Sequence, residues 1–202
     1  MSEKNTTKKL RRSRNWLMIV YPDSAPENWR ELIDNQHVEW VESPLHDMDV
    51  NDVTGEMKKP HYHILVMFGG LKSYEQVKDI LSPLNGTVPQ ICQNCKSSIR
   101  YFAHLDNPEK YQYDFSKIIA HGGVDLQNLL KPTSAERYQL IAEMIDFVNK
   151  NGIYEYCDLM DYAIAERYDD WFPVLCDTST IVLKEYIKSR YFKYNQSDRG
   201  CE

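Results

Sequence analysis

Residues 60–68, PHYHILVMF, contain two alternating histidines that lead into an unbroken apolar run. Its length and its β-branched and aromatic content are typical of a buried strand. Residues two apart on a strand point to the same face, so His61 and His63 project side by side and Tyr62 points the other way. The stretch therefore predicts a core strand that presents two imidazoles together.

A second polar segment, SPLHDMD at residues 43–49, follows an apolar alternation over residues 37–42. A single histidine is more often a surface or hydrogen-bonded residue than a metal ligand. If the two segments meet, however, three imidazoles and a carboxylate converge. That set suits Mn²⁺, Zn²⁺, Fe²⁺ or Co²⁺ better than Ca²⁺, which prefers oxygen ligands. The predicted metal ligands are His46, Asp49, His61 and His63.

The hydrophobic pattern of the first two thirds of the chain predicts the element order β-α-β-β-α-β-α-β. The predicted strands span 16–21, 37–42, 61–68, 87–92 and 115–120, and the helices span 26–35, 73–85 and 97–104. This order is typical of a ferredoxin-like α+β fold, an antiparallel sheet with helices packed on one side. In that layout the second and third strands are neighbours, which would bring Asp49 to His61 and His63.

The pattern changes at Lys131-Pro132, where we place the boundary between a domain of residues 1–131 and a small all-α domain of residues 132–202. Three amphipathic helices are expected there, at 133–152, 158–171 and 180–194, the first opened by a capping box at Thr133. Their many aromatic residues suggest that this domain docks on the first domain or self-associates.

The charge of the chain is acidic, with a net value of −6, which argues weakly against nucleic acid as a partner. The acidic excess, however, lies mostly beyond residue 131. A basic leader is usually a solvated tail, but it also suits contact with a phosphate backbone. The clustered basic residues are Lys8, Lys9, Arg11, Arg12, Arg14, Lys58 and Lys59.

The compartment expected from the sequence is the cytoplasm. The chain has no run of about eighteen apolar residues to span a membrane and no apolar signal segment within residues 1–14. Its 5 cysteines are an odd number without framework spacing, as in a reducing compartment. Cys92 and Cys95 form a single C-x-x-C pair with no second pair to complete a zinc site, so we interpret them as structural.

A third motif, RYFAH at residues 100–104, is expected on a helix with Tyr101 and His104 on one face. A helical tyrosine usually belongs to a core or an interface. Beside a divalent metal, its hydroxyl becomes a candidate nucleophile, and Tyr101 is the predicted catalytic residue. Residues expected to support the ligands from outside or to contact a phosphate are Asp47, His104, Arg100, Lys58 and Lys59.

The three motifs, in this order and spacing, resemble those of rolling-circle replication initiators. Over about residues 14–131 the chain resembles the Rep proteins of small Gram-positive plasmids, members of the HUH endonuclease superfamily with a single catalytic tyrosine. HUH proteins carry a bulky residue between the two histidines, and Tyr62 departs only mildly from an aliphatic one.

The resemblance implies a nicking enzyme. It implies that the ligand set holds Mn²⁺ or Mg²⁺ and that Tyr101 attacks a DNA phosphate, leaving a 5′-phosphotyrosine and a free 3′-OH primer. It further implies binding to the plasmid origin, both at a double-stranded site and at a single-stranded nick loop. Homo-oligomerisation through the helical domain and cooperation with host helicase and polymerase are also implied.

Three alternatives stay open at this stage. A non-catalytic nucleic-acid binder would stack bases on Tyr62 and Tyr101 of a ferredoxin-like sheet. A mobilisation relaxase or a transposase would use the same chemistry as the initiator. A metal-dependent hydrolase of small molecules would form no covalent adduct.

Overall fold

The computed structural model of the chain describes residues 11–51 and 53–197. The strands are β1 (Arg12–Val20), β2 (Glu39–Glu42), β3 (Tyr62–Ser73), β4 (Gln90–Ile91) and β5 (Ile119–His121). The α-helices are α1 (Trp29–Asp34), α2 (Tyr74–Leu81), α3 (Cys95–Tyr101), α4 (Leu126–Leu130), α5 (Ser134–Asn151), α6 (Tyr156–Glu166), α7 (Trp171–Val174) and α8 (Thr180–Ser197). Short 3₁₀ turns span Ser82–Leu84 and Phe115–Lys117, and one π-helical turn spans Leu175–Ser179.

The strands form one antiparallel sheet in the order β4-β1-β3-β2-β5. Strand β3 lies at its centre, and Val66 faces Trp16 of β1 on one side and Trp40 of β2 on the other. The predicted α+β class is therefore confirmed, as is the pairing of the second strand with the third. A hydrophobic strand in the middle of a sheet buries the most apolar surface, which explains why the run at 64–68 occupies this place.

Helices cover both faces of the sheet, which differs from the predicted packing on one side. Helices α1 and α2 pack on the face that contains Ile64 and Val66. Helix α3 packs on the opposite face, against Leu65 and Met67. The reason is the unbroken apolar run of β3, which leaves no polar face for solvent.

Several predicted boundaries were wrong. Helix α3 begins at Cys95, with Asn94 as its N-cap, and it ends at Tyr101, so His104 lies beyond it with a φ of 56°. The predicted strand at 115–120 is a 3₁₀ turn followed by β5, and α4 was not predicted. Lys8 and Lys9 lie outside the described residues.

The chain divides into two compact units after Leu130. In the second unit, α5 to α8 share a core that includes Met144, Leu159, Trp171 and Leu183. The capping box at Thr133 is confirmed. The predicted helix over 158–171 is wrong at its end, because Trp171 is the first residue of α7. Among the described residues, no helix is both long and apolar enough to cross a membrane.

Gly86 fixes the approach of the segment before β4 to the end of β1. A Cβ atom at Gly86 would lie 2.4 Å from the Ile19 carbonyl oxygen and 2.6 Å from Met18 Cε. We expect Gly86→Ala to lower the free energy of unfolding by about 1–3 kcal/mol, because the backbone must move to relieve the overlap. Urea denaturation measures this change.

The matched control is Gly70→Ala, since a Cβ there meets nothing within 4 Å. Its expected effect stays within about 0.5 kcal/mol, as for an ordinary surface substitution. Equal losses in the two variants would contradict the close approach at Gly86.

Candidate active site

Backbone pairing beyond the ends of β2 and β3 brings the two histidine segments together. The amide of His46 donates to the carbonyl of His61 at 2.8 Å, and the amide of His61 donates to the carbonyl of His46 at 3.1 Å. Ser43 and His63 are joined by an amide-to-carbonyl bond of 2.9 Å and by a bond from the His63 amide to Ser43 Oγ, also 2.9 Å. The loop of residues 47–60 thus closes with its ends in register.

Three imidazoles converge at this junction. The ring of His46 lies 5.3 Å from that of His61 and 4.8 Å from that of His63, and the last two rings are 5.0 Å apart. Each offers a nitrogen such that all three nitrogens lie within 4.8 Å of one another, a spacing that one metal ion can gather. Because side chains alternate along a strand, His63 lies on the same face of β3 as Leu65, the face that α3 covers.

Hydrogen bonds to backbone carbonyls determine which ring nitrogen of His46 and of His61 faces the centre of the histidine cluster. His46 Nε2 donates to the Phe102 carbonyl oxygen at 2.8 Å, which leaves Nδ1 for a ligand. His61 Nδ1 donates to the Lys59 carbonyl oxygen at 2.8 Å, which leaves Nε2. Backbone carbonyls commonly hold metal-binding imidazoles in this way.

Asp49 lies beside two of the imidazoles. Its Oδ2 is 3.4 Å from His46 Nδ1 and 3.8 Å from His61 Nε2, and its Oδ1 accepts a hydrogen bond of 3.0 Å from the Tyr113 hydroxyl. Burial raises the pKa of the Asp49 carboxyl. The Tyr113 hydroxyl and the His46 and His104 imidazoles together lower this pKa by more than burial raises it, so it lies below its usual value. The group is therefore a carboxylate at neutral pH.

His104 forms a second potential ligand group with His46 and Asp49. Its Nδ1 lies 3.9 Å from Asp49 Oδ1, but this nitrogen donates to the Tyr111 carbonyl oxygen at 2.8 Å. Its Nε2 is buried without a hydrogen-bond partner. Because Nδ1 carries the hydrogen, the lone pair of the neutral His104 ring is on Nε2, so this nitrogen is the one that could bind a metal.

Burial favours the neutral form of the His46 and His63 imidazoles. Burial, followed by the neighbouring His46 and His61 imidazoles, lowers the pKa of His63 from 6.5 to about 3. Burial is also the main cause of the lowered pKa of His46. Neutral imidazoles and an ionised carboxylate are the protonation states that a divalent cation requires of its ligands.

Tyr101 opens on the same cleft. The cleft has a volume of about 320 Å³, and Tyr101 lines it together with Asp49, His61 and His63. The Tyr101 ring lies 5.6 Å from that of His63. Its hydroxyl accepts a hydrogen bond of 3.1 Å from Lys110 Nζ, which also lies 4.8 Å from the ring centroid. The Tyr101 side chain, which is hydrogen-bonded to Lys110, and three of the candidate ligands therefore line one cleft.

The residues predicted to support the ligands or to contact a phosphate differ in whether they reach the cleft. Lys58 and Lys59 line the cleft, and Lys59 also pairs with Asp23 at 3.3 Å on the surface. Arg100 forms an ion pair of 2.6 Å with Asp106. Asp47 is exposed. The His104 ring contacts that of Tyr101 at 5.0 Å.

Sequence reasoning missed Lys110 and Tyr113. Tyr113 stacks on His46 with ring centroids 4.1 Å apart, and its hydroxyl accepts a bond of 3.0 Å from the Met48 amide. Both residues reach the site from an irregular segment after α3. The only signal for Tyr113 is that it is one of two closely spaced tyrosines, which is too weak to identify a site.

Comparison with known proteins identifies the family. Residues 8–127 match the plasmid replication protein origin-binding domain, and residues 134–192 match the C-terminal part of the replication protein RepB. The chain belongs to the plasmid replication proteins that carry this origin-binding domain.

The sequences of individual relatives align with most or nearly all of the chain. A replication protein of Staphylococcus aureus is 51% identical over 95% of this chain and 94% of its own length. A replication protein RepB of Lactiplantibacillus plantarum is 39% identical over 96% of this chain and 88% of its own length. A more distant RepB of Streptococcus agalactiae is 23% identical over 75% of this chain and 76% of its own length.

The lowered pKa of His63 predicts a pH-dependent stability. Because the unfolded imidazole titrates near 6.5 and the folded one near 3, the unfolded chain binds more protons between these values. The free energy of unfolding should therefore fall as the pH falls from about 6.5 towards 3, by up to about 1.4 kcal/mol per pH unit from this group. Urea denaturation in EDTA across this range measures the slope.

The test compares His63→Gln, which should flatten the slope, with His37→Asn, which should keep it. His37 is exposed and has a φ of 52°, a conformation that asparagine tolerates. The same slope in the wild type and in His63→Gln would contradict the burial of a neutral imidazole.

Proposed function

We propose that this protein initiates rolling-circle replication of a plasmid as an HUH endonuclease with one catalytic tyrosine. In this proposal it binds the double-strand origin in the bacterial cytoplasm and nicks one strand through Tyr101. The observation that carries the proposal is the cleft that Tyr101 lines together with Asp49, His61 and His63, with His46 buried against the two other histidines. The membership in the origin-binding family supplies the substrate, plasmid origin DNA.

The residues proposed to hold a divalent cation, Mn²⁺ or Mg²⁺, are His46, Asp49, His61 and His63. Their donor atoms suit such an ion because lowered pKa values favour neutral His46 and His63 and an ionised Asp49, while His61 presents Nε2. A cation bound there would act as a Lewis acid towards the oxygens of a phosphodiester. With one carboxylate among the four ligands, the site would keep a net positive charge.

The chain's own residues account for the nucleophile. The ammonium of Lys110 donates to the Tyr101 oxygen, so it stabilises the negative charge that develops there when the proton leaves. The Tyr101 oxygen, having given its proton to solvent, forms a bond to phosphorus while the bond from phosphorus to the 3′ oxygen breaks, and the leaving 3′ oxygen takes up a proton from solvent. The products are a 5′-phosphotyrosine and a free 3′-OH. Because the phosphodiester energy is kept in the protein–DNA bond, the strand can be rejoined.

Replication follows from the free 3′-OH, which a host polymerase extends while a host helicase opens the duplex. The family match to plasmid replication proteins favours this role over that of a relaxase or transposase. A non-catalytic origin binder would also fit the family match. It would not, however, account for a tyrosine oxygen held by a lysine beside a buried ligand cluster.

Self-association is the proposed role of the helical unit that follows Leu130. Large apolar side chains are exposed on α6 and α8, and they are Ile164, Ile181, Val182, Tyr191, Phe192 and Tyr194. Such a concentration of exposed apolar area is typical of a surface that another protein covers. A second copy of the chain is the proposed partner, and sedimentation velocity measures the assembly.

Removing the Tyr101 hydroxyl tests the nucleophile. We expect Tyr101→Phe to lose nicking and adduct formation by at least about a thousandfold, because the attacking atom is absent. It should retain origin binding, since the ring remains. The measurement is a denaturing gel of protein incubated with a labelled single-stranded origin library and Mn²⁺, on which an adduct migrates with the protein.

Tyr111→Phe is the matched control, because Tyr111 lies near the site but is 52% exposed. It should nick as the wild type does. Full cleavage by Tyr101→Phe, or a DNA–peptide adduct mapped to another residue, would reject the assignment.

The hydroxyl of Tyr113 tests the metal centre. Since this hydroxyl orients Asp49, we expect Tyr113→Phe to weaken Mn²⁺ binding by about 10–100-fold, the usual effect of losing an outer hydrogen bond. Isothermal titration with Mn²⁺ measures the affinity. EDTA should also abolish nicking by the wild type, and added Mn²⁺ should restore it.

Tyr111→Phe again serves as the control and should bind Mn²⁺ with the wild-type affinity. Nicking that persists in EDTA, or Mn²⁺ binding that is unaffected by Asp49→Asn, would contradict the proposed ligand set.

A further inference from the structure

Two cysteines lie in contact at the start of the helix that carries Tyr101. Cys92 follows β4, Cys95 is the first residue of α3, and their sulfur atoms are 3.9 Å apart. Both thiols are free. The sequence alone gave them only a structural role, as the half of a zinc site that lacks its second pair.

The surroundings of Cys92 stabilise a thiolate. The hydroxyl of Ser98 lies 3.3 Å from the Cys92 sulfur, and the backbone of Asn94 also hydrogen-bonds to it. The hydrogen bond with Cys95, followed by those from Ser98 and Asn94, lowers the pKa of Cys92 from 9.0 to about 6 despite its burial. Thiolates are the reactive form of cysteine, and C-x-x-C pairs commonly have one thiol of this kind.

Small molecules can reach this pair. Cys95 is partly exposed, whereas Cys92 is 5% exposed. A cavity of about 370 Å³ extends from Tyr101 and His63 to Ser98, the residue whose hydroxyl contacts Cys92. The cavity therefore ends at a residue in contact with Cys92, and the partly exposed Cys95 is the side of the pair that solvent reaches.

We propose that Cys92 and Cys95 are a redox-active dithiol that hydrogen peroxide converts into an intrachain disulfide. The Cys92 thiolate attacks one peroxide oxygen, the O–O bond breaks, and the departing hydroxide takes a proton to become water. Cys95 then loses its proton and attacks the Cys92 sulfenic acid, forming the S–S bond and releasing a second water. Two thiols are oxidised and one peroxide is reduced to two waters.

The disulfide would act on the nucleophile through α3. Closing the bond would tie the residue that follows β4 to the first residue of α3 and so constrain the start of the helix. The helix has 7 residues and ends at Tyr101. Cys92 also packs with Ile99 and Phe102 of this segment, so a shift there is not absorbed locally. Only this consequence rests on the proposed function, since the thiol chemistry does not require it.

The experiment treats the full chain with dilute hydrogen peroxide, removes the peroxide, unfolds the chain in guanidinium chloride so that N-ethylmaleimide blocks every remaining thiol, and digests it with trypsin. Residues 79–96 form one tryptic peptide that contains both cysteines. We expect this peptide to lose both maleimide adducts and to appear lighter by two hydrogens, and dithiothreitol should restore both adducts. Cys157, an exposed single thiol, is the internal control and should remain alkylated at the same peroxide concentration.

Two variants sharpen the result. In Cys92→Ser, Cys95 should stay alkylated, because the attacking thiolate is absent. In Cys95→Ser, Cys92 should be oxidised without forming the intrapeptide bond. Two results in the wild-type protein would overturn the proposal. One is a peptide that keeps both adducts while Cys157 is oxidised, and the other is oxidation of Cys92 beyond the sulfenic acid without formation of a disulfide.

A parallel nicking assay separates the two levels of inference. We expect at least a tenfold loss of nicking after oxidation, reversed by dithiothreitol, and no loss in Cys95→Ser. A disulfide that forms without changing the nicking rate would retain the redox site and reject its link to Tyr101. An absence of nicking in untreated protein would instead reject the proposed function.

Discussion

The two backbone hydrogen bonds between His46 and His61 are the constraint on which the site depends. They join the polar segment of residues 43–49 to the residue before the central strand β3. The two bonds thereby set the register between this segment and the histidines of β3. A shift of one residue would turn His61 and His63 to the other face of β3, because side chains alternate along a strand. The apolar run that begins at Ile64 opposes such a shift, since each of its residues is buried on its own face. The hydrophobic core thereby holds the ligand cluster in register.

Helix α3 brings the second half of the site to the first. It packs through Ile99 and Phe102 on the face of β3 that also presents His63. The Phe102 carbonyl accepts the hydrogen of His46 Nε2, so the helix end orients a ligand as well as placing Tyr101 beside the cleft. The proposed nucleophile and the proposed ligands are thus positioned by the same packing contacts. The cysteine pair at the other end of α3 lies within the same cluster of buried residues.

Much of the architecture could be predicted from the pattern of apolar residues, because that pattern reflects burial. The strand at 61–68, the order of the elements and the pairing of β2 with β3 belong to this group. The packing of helices on one side was wrong, since a continuously apolar strand needs cover on both faces. The limits of α3 were also wrong: Asn94 caps the helix through its side chain, and cap geometry depends on backbone angles that the sequence expresses only weakly.

For the site, the sequence by itself determined the chemical groups. The spacing in PHYHILVMF places two imidazoles on one face, and the motifs around His46 and Tyr101 supply the remaining candidate groups. Only the tertiary structure decided which groups meet. Lys110 and Tyr113 reach the cleft from an irregular segment, where no periodicity relates position to direction. Local pattern fixes the face of a strand or helix on which a side chain lies, whereas contacts between distant segments depend on how the whole chain packs.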